Sequence, residues 1–208
     1  MRKCLIAALA SLLVAAPALA QEWEEYSSRA DRFTVNFPGQ PKVEEITWDS
    51  EYGGKFPGRV YTTELNGAKY SITVIDYTNA EAIHAARKKT EAETGMYWWV
   101  DIQASIQYAA SKLFRMRPGA KVTYDAFHYI DLVSGQQLQV TNADQSRTFA
   151  GIYLHDNRLY ILDATVPPRA PAPGLFQQSL GFLDEAGNHV RYRELYFNKI
   201  PPSKLGGR

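Results

Sequence analysis

Two runs rich in β-forming residues, 60–65 and 68–77, are separated only by Asn66 and Gly67. Asparagine followed by glycine tolerates the positive φ angles of a type I′ turn, whose twist matches a two-residue β-hairpin. This pair therefore predicts an antiparallel hairpin. Together with the segments before it, the hairpin predicts three or four antiparallel strands in the first part of the chain.

Apolar residues at every second position, the period of a half-buried strand, recur on both sides of this hairpin. The strands that they predict lie at residues 33–37, 42–50, 121–133 and 136–142. Ser134 and Gly135 are expected to form the turn between the last two strands. Residues 21–31 are polar apart from two aromatic residues, so we expect an arm that leads into the first strand.

Two nearly continuous apolar runs, residues 147–154 and 159–166, flank a turn at residues 155–158. Such runs suit central strands that are covered on both faces, although periodicity alone does not distinguish them from a buried helix. If they are strands, helices are expected to cover both faces of the sheet.

Helical patterns appear between and after the strands. Residues 81–94 contain Ala, Glu, Lys and Arg without Gly or Pro, and they predict one helix. A second helix is predicted by apolar residues at spacings of three and four, namely Trp99, Ile102, Ile106, Ala109 and Leu113. After a stiff proline-rich loop at residues 167–173, Phe176, Leu180 and Leu183 predict a short third helix.

The order of elements is therefore strands, two helices, strands and one helix. Segregated runs of this kind indicate the α+β class, with an antiparallel β-sheet flanked by helices. Helices on both faces of the central strands would make the architecture an α/β/α sandwich.

The first twenty residues have the pattern of a secretory signal peptide. A basic start precedes an apolar run that Pro17 ends, and the small-x-small pattern read by signal peptidase follows. We expect the signal peptide, residues 1–20, to be cleaved between Ala20 and Gln21. Residues 21–208 would then form a single α+β domain in the periplasm or outside the cell.

Short segments near both ends of the chain resemble known proteins. Residues 31–41 look like the opening strand of a group of small exported bacterial proteins of unknown function, and residues 177–184 and 190–192 are similar to the end of that group. The element order also resembles the PsbP-like sandwich, in which a Phe-x-Val-x-Phe-Pro strand begins the sheet. The resemblance implies this fold. It implies no functional residues, because the fold family shares no catalytic site.

Composition excludes several classes of function for the exported part. The only cysteine, Cys4, leaves with the signal peptide, so no disulfide and no thiol nucleophile are expected. The chain has 23 basic and 22 acidic residues, and removal of Arg2 and Lys3 leaves 21 against 22. Such a balance gives no reason to expect nucleic acid or an anionic membrane as partner. No second apolar run approaches the length of a membrane span, so no stable membrane insertion is expected afterwards.

Sequence motifs for catalysis, phosphate binding and metal binding are missing. No Gly-x-Ser-x-Gly or Ser-x-x-Lys sequence marks a nucleophile, and no glycine-rich loop has P-loop spacing. The four His residues lie far apart without a His-Glu-x-x-His motif, so no metal ion and no cofactor are predicted. Asp125 and His128 are three residues apart on a strand, which places them on opposite faces. A Ser-His-Asp triad assembled from distant positions stays open.

The densest aromatic cluster is Tyr97, Trp98 and Trp99. Because Trp99 belongs to the apolar stripe of the second helix, Trp98 is expected to point elsewhere. An exposed Trp98 is therefore the candidate contact for a partner or a ligand. The alternative is that Trp98 packs against a loop or a neighbouring strand.

These observations favour a non-enzymatic accessory or binding protein in the periplasm or outside the cell. Its partner would be an envelope protein or a small ligand. Two alternatives remain, and each makes a structural demand. A small exported hydrolase needs converging His, Asp and Ser side chains in a pocket. A carrier of a small apolar ligand needs an enclosed cavity lined by aromatic residues.

Overall fold

The computed structural model describes residues 23–87, 96–200 and 202–203. The strands are β1 (Trp23–Ser28), β2 (Phe33–Pro38), β3 (Lys42–Asp49), β4 (Lys55–Leu65), β5 (Ala68–Asp76), β6 (Lys121–Ile130), β7 (Val133–Thr141), β8 (Arg147–His155), β9 (Arg158–Val166) and β10 (Gly181–Phe182). The helices are α1 (Ala80–Ala86), α2 (Tyr97–Ala110), which continues as a π-helical turn at Ser111–Arg115, and α3 (Gly174–Gln177).

Some of the sequence predictions fall on residues outside this described part. They are the signal peptide at residues 1–20, its cleavage site between Ala20 and Gln21, and residues 88–94 of the first predicted helix. Within the described part, no helix is both long enough and apolar enough to cross a membrane.

Two antiparallel sheets organise the chain. The larger has seven strands in the order β3-β4-β5-β9-β8-β7-β6, and the smaller has three in the order β1-β2-β10. Every strand pairing in both sheets is antiparallel. The predicted α+β class with an antiparallel sheet flanked by helices is confirmed.

The hairpin predicted from Asn66 and Gly67 is present. These two residues have φ angles of 52° and 76°, and Leu65 pairs with Ala68 directly beside them. Both φ angles are positive, as a type I′ turn requires. The turn predicted between the two apolar runs is also present and has the same character, since Asp156 and Asn157 have φ angles of 46° and 57°.

The turn predicted at Ser134 and Gly135 is wrong. The chain turns earlier, at Asp131 and Leu132, whose φ angles are 48° and 64°. Gly135 lies within β7 opposite Tyr153, where a Cβ atom would come within 2.2 Å of a backbone oxygen of the neighbouring strand β8. The glycine therefore permits a close approach between strands and does not form a turn.

Different layers cover the two faces of the seven-stranded sheet. One face packs on α1 and α2 through a core that includes Phe56, Ile152 and Phe114. The other face packs on the small sheet and α3 through a core that includes Phe33 and Phe176. Eight consecutive residues of β8 are buried, as expected for a central strand covered on both faces.

Two further segments differ from the prediction, and both lie on the face of the large sheet that is covered by the small sheet and α3. The expected arm is strand β1, which pairs with β2. The third helix is a single turn that ends at Gln177, and Gly181 and Phe182 pair with β2 instead of extending it. Helices do lie on both faces, but a three-stranded sheet provides most of the cover on the second.

Candidate functional site

Trp98, the predicted contact residue, lies in the core. Its exposed fraction is 7%, and it shares one buried face of α2 with Ile102, Ser105 and Ala109. Trp99, which was expected on that face, is only partly buried against the same core. The prediction that Trp98 points away from the core is wrong. Its indole ring is buried and is not available for contact with a partner or a ligand.

The structure brings together a hydroxyl, an imidazole and a carboxylate that the sequence did not associate. Asp101 of α2 accepts a hydrogen bond at 2.5 Å from Ser50 Oγ, and the same oxygen lies 2.8 Å from Nε2 of His84. The backbone N–H of Gly54 donates to Ser50 Oγ at 2.9 Å. This cluster ties the β3–β4 loop to α1 and α2.

The order of contacts in this cluster differs from that of a hydrolytic triad. In a triad the imidazole lies between the hydroxyl and the carboxylate, so that it can take the hydroxyl proton. Here the carboxylate of Asp101 lies between Ser50 and His84. The three residues are also buried, with exposed fractions of 5%, 7% and 1% for Ser50, His84 and Asp101. The arrangement suits a structural network of satisfied buried polar groups.

Asp125 and His128 lie on opposite faces of β6, as predicted. Asp125 receives hydrogen bonds at 2.7 and 3.0 Å from the guanidinium of Arg115. Nδ1 of His128 lies 2.8 Å from the hydroxyl of Tyr153, on the side of the sheet that faces away from α2. Within the described residues, no group of three or more His, Cys, Asp and Glu side chains is placed to hold a metal ion.

A groove of about 650 Å³ lies over one end of β3, β4 and β5, beside the β1–β2 turn. We call it the β3–β5 groove. Its lining consists of Asp31, Glu45, Ile46, Thr47, Lys55, Pro57, Gly58, Arg59, Val74 and Asp76. Five of these ten residues carry charge, and the others include apolar side chains such as Ile46, Pro57 and Val74.

Arg59 is held in this groove by a buried carboxylate. Its Nε and one terminal nitrogen donate to the two oxygens of Asp31 at 2.7 and 2.5 Å. The hydroxyl of Tyr61 also donates to Asp31, at 2.5 Å. Tyr61 lies two residues after Arg59 on β4, so both side chains are on the same face of the strand. Tyr160 completes the anchor by donating to the backbone oxygen of Asp31 at 2.9 Å.

Protonation states in this anchor are fixed at neutral pH. Burial, followed by the hydrogen bond to Asp31, raises the pKa of Tyr61 to about 12, so its hydroxyl keeps its proton. The hydrogen bond to Asp31 also raises the pKa of Arg59, which stays charged. Within the described residues, Nη1 of Arg59 has no hydrogen-bond partner. The anchor therefore presents a positioned cation with donor capacity left for a ligand.

Acidic side chains lie across the groove from this cation. Glu45 of β3 is the direct cross-strand partner of Arg59, yet their charged groups do not come within 4.0 Å of each other. Asp76 lies 4.0 Å from Arg158. Lys55 is bound to Asp49 at 2.6 Å. The groove therefore offers a fixed cation and a carboxylate, Glu45, that no ion pair in the described part neutralises.

A second groove of about 280 Å³ is mostly apolar. Trp23 and Tyr70 form one wall, and the proline-rich loop from Pro167 to Pro173 forms another. Pockets that bury a drug-sized ligand measure about 300–1,000 Å³. This groove lies near the lower end of that range and is open to solvent, whereas a carrier of an apolar ligand needs an enclosed cavity.

The C-terminal segment packs on the β8–β9 turn through an aromatic cluster. His155 has an exposed fraction of 0%, and its ring stacks on Phe182 with centroids 4.4 Å apart. Nε2 of His155 lies 2.6 Å from the hydroxyl of Tyr192. Its Nδ1 has no hydrogen-bond partner in the described part of the chain. Burial lowers the pKa of His155, although the charge of Asp156 acts in the opposite direction.

This buried histidine predicts a loss of stability in mild acid. An unfolded chain takes up the proton as the pH falls through about 6.5, whereas the folded state with its lowered pKa does not. The free energy of unfolding is therefore expected to fall as the pH drops from 7.5 to 5.5. Urea unfolding at both pH values measures the difference. His155→Phe, which keeps a stacked ring without a titrating group, should show a smaller difference. An unchanged pH dependence in His155→Phe would contradict the assignment to His155.

Comparison with known proteins adds little to this geometry. No protein-family model matches the chain, and no curated protein matches it. Among solved structures, the chain is similar to the solution structure of cyanobacterial PsbP (CyanoP) from Synechocystis sp. PCC 6803. The two are 11% identical with a TM-score of 0.40, and the match covers 74% of this chain and 86% of that one. A likeness at this level carries no argument about the groove or its ligand.

Proposed function

We propose that the chain is an exported, non-enzymatic binding protein that acts in the periplasm or outside the cell. Its β3–β5 groove takes a short polar ligand that carries both charges, such as a peptide with free termini. One observation carries this proposal. A positioned cation, Arg59, and a carboxylate, Glu45, that has no ion-pair partner among the described residues face the same open groove from adjacent strands.

The chemistry of the groove favours binding over catalysis. Asp31 accepts hydrogen bonds from Arg59 and Tyr61, so both of its carboxylate oxygens are already occupied as acceptors. No His, Cys or Ser is among the lining residues of this groove. The cluster of Ser50, His84 and Asp101 is buried away from it. A hydrolase would need a nucleophile and a base within reach of one open site.

Charge placement favours a ligand with two opposite charges. The remaining donor of Arg59 suits a carboxylate, which guanidinium groups bind through charge-assisted hydrogen bonds. Glu45 and Asp76 suit an ammonium group. These carboxylates would repel a purely anionic ligand, and Arg59 would repel a purely cationic one. Export is supported by the signal-peptide pattern of residues 1–20.

Titration calorimetry of residues 21–208 with trialanine tests this proposal. Trialanine should bind, and its N-acetylated and C-amidated forms should each bind more weakly. Glu45→Gln should weaken trialanine binding by about threefold, as expected for one solvent-exposed ion pair. Acetylated trialanine should bind this variant and the unmodified protein equally, because it has no ammonium group for Glu45.

Glu64→Gln is the matched control, since Glu64 is an exposed glutamate of β4 outside the groove lining. It should leave trialanine binding unchanged. Equal affinities for trialanine and its two blocked forms would contradict the proposed ligand class. Cleavage of the peptide during the titration would contradict a non-enzymatic function.

A further inference from the structure

We propose that β6 is a dimer interface, at which two copies of this chain pair antiparallel about a two-fold axis at Phe127. Pairing in this way would join the two seven-stranded sheets into one continuous sheet. The surface is separate from the β3–β5 groove, which lies at the opposite edge.

The two edges of the seven-stranded sheet have different characters. Proteins protect an edge strand with charged residues, proline or a bulge, because its free backbone groups otherwise pair with another chain. On the β3 edge, charged residues are frequent, namely Lys42, Glu44, Glu45 and Asp49. On the β6 edge, Lys121 and a bulge between Val122 and Tyr124 protect only the beginning. The strand from Tyr124 to Ile130 has no proline and no bulge, and its one charged residue, Asp125, is held in an ion pair by Arg115.

Exposed aromatic side chains occupy the stretch from Tyr124 to Ile130. Tyr124, Phe127 and Tyr129 have exposed fractions of 42%, 81% and 47%. Leu132 in the adjoining turn is 37% exposed, and the neighbouring tail residue Tyr196 donates its N–H to the Leu132 oxygen at 2.9 Å. Phe127 and Tyr129 lie on one face of β6 and Tyr124 on the other, so exposed aromatic groups flank both sides of this edge, as at an interaction surface.

The β6–β7 turn determines which backbone groups of β6 are free. Across a two-residue turn the flanking residues, Ile130 and Val133, form a hydrogen-bonded pair, and pairs then alternate along the hairpin. Tyr129 and Ser134 are therefore a pair without mutual hydrogen bonds. The backbone N–H of Ser134 is consistent with this assignment. It points away from β6 and donates to the Tyr196 oxygen at 3.5 Å.

By the same alternation, Asp125, Phe127 and Tyr129 direct their N–H and C=O groups away from β7, towards the open edge. An added strand must therefore align with these three residues. The side chains of the three also lie on one face of the sheet, the face that carries α2.

Self-pairing about Phe127 is complementary. Phe127 lies opposite Phe127 of the second copy, and Asp125 of each copy lies opposite Tyr129 of the other. Aromatic pairs directly opposite each other stabilise antiparallel strands, and a tyrosine hydroxyl opposite a carboxylate can donate to it. The two nearest alternative axes are worse. An axis at Ala126 would require pairing across the bulge at Thr123, and an axis at His128 would place Asp125 opposite Asp131.

This complementarity is the reason to choose a second copy of the chain as the occupant. An unrelated extended segment would satisfy the backbone groups, but it would have no particular reason to present an aromatic residue at Phe127 and a carboxylate at Tyr129.

Sedimentation velocity of residues 21–208 over a wide concentration range tests the pairing. The unmodified protein should show a reversible monomer–dimer equilibrium. Phe127→Lys places like charges directly opposite each other and removes the aromatic pair, so the dissociation constant should rise by about tenfold or more. Val43→Lys is the matched control, because Val43 is a 44% exposed apolar residue on the opposite edge strand. It should leave the equilibrium unchanged.

Cross-linking checks the position of the axis independently. The exported part has no cysteine, so Phe127→Cys provides one thiol per copy. A short bismaleimide should convert Phe127→Cys into a covalent dimer and should leave Val43→Cys monomeric. The proposal is overturned if the unmodified protein stays monomeric, if Phe127→Lys still dimerises normally, or if the two cysteine variants cross-link equally.

Discussion

Replacement of Trp98 by alanine is expected to lower the free energy of unfolding by about 3–5 kcal/mol, the range for large aromatic side chains removed from a core. Trp98 is 7% exposed and packs in the core between α2 and the seven-stranded sheet. The surrounding layers cannot collapse fully into the space left by an indole. Urea unfolding of residues 21–208, monitored by far-ultraviolet circular dichroism, measures the loss.

Trp99→Ala is the matched control, since Trp99 is adjacent on the same helix and only partly buried. Its effect should be clearly smaller. Equal effects of the two substitutions would contradict the burial of Trp98. A change of less than about 0.5 kcal/mol for Trp98→Ala would identify a surface residue and would revive its candidacy as a partner contact.

Replacement of Asp31 by alanine is expected to cost about 2–3 kcal/mol. Asp31 accepts hydrogen bonds from Arg59 and Tyr61, and its removal leaves the Arg59 cation without its carboxylate and the buried Tyr61 hydroxyl with Ser28 as its remaining partner. Loss of one member of a fully buried ion pair costs about 3–5 kcal/mol. The smaller value applies here because the side chain of Arg59 is 36% exposed and recovers part of its hydration.

Two further variants separate this anchor from an ordinary surface ion pair. Asp49→Ala removes the partner of Lys55, and because both side chains are well exposed it should change stability by about 0.5 kcal/mol or less. The double variant Asp31→Ala with Arg59→Met should be more stable than Asp31→Ala alone, since no unpaired cation remains. Equal losses for Asp31→Ala and Asp49→Ala would mean that the anchor contributes no more than a surface pair.

A turn could be predicted from sequence where it depends on the conformational preferences of its own residues, and not where it depends on a distant part of the chain. Asn66 and Gly67 were predicted correctly because the preference for positive φ angles belongs to those two residues alone. Gly135 was assigned wrongly because its role depends on a backbone oxygen of β8, seventeen residues along the chain. Sequence pattern contains the first kind of information and lacks the second.

The error at Trp98 has a similar origin. The buried face of α2 includes Asp101 and Ser105, which a hydrophobicity pattern counts as solvent-exposed. Asp101 is satisfied by Ser50 and His84, which are 51 and 17 residues away. Without these partners in view, the sequence pattern assigned Trp99 to the core face instead of Trp98, although it placed Ile102 and Ala109 there correctly.

The β3–β5 groove was not predicted at all. Its key side chains, Asp31, Glu45 and Arg59, belong to a turn and two different strands, and their separation along the chain hides their proximity. One signal was available, because Arg59 comes directly before the predicted strand at residues 60–65, and residues two apart on a strand, such as Arg59 and Tyr61, share a face. The carboxylate that joins them could be identified only from the fold.

Nuclear magnetic resonance titration of isotope-labelled residues 21–208 with trialanine tests the binding function most directly. The account predicts saturable shifts for the backbone amides of Thr47, Gly58 and Val74, which line the groove, together with an intact peptide at the end of the titration. Shifts confined to other parts of the protein, or the appearance of cleaved peptide, would contradict it.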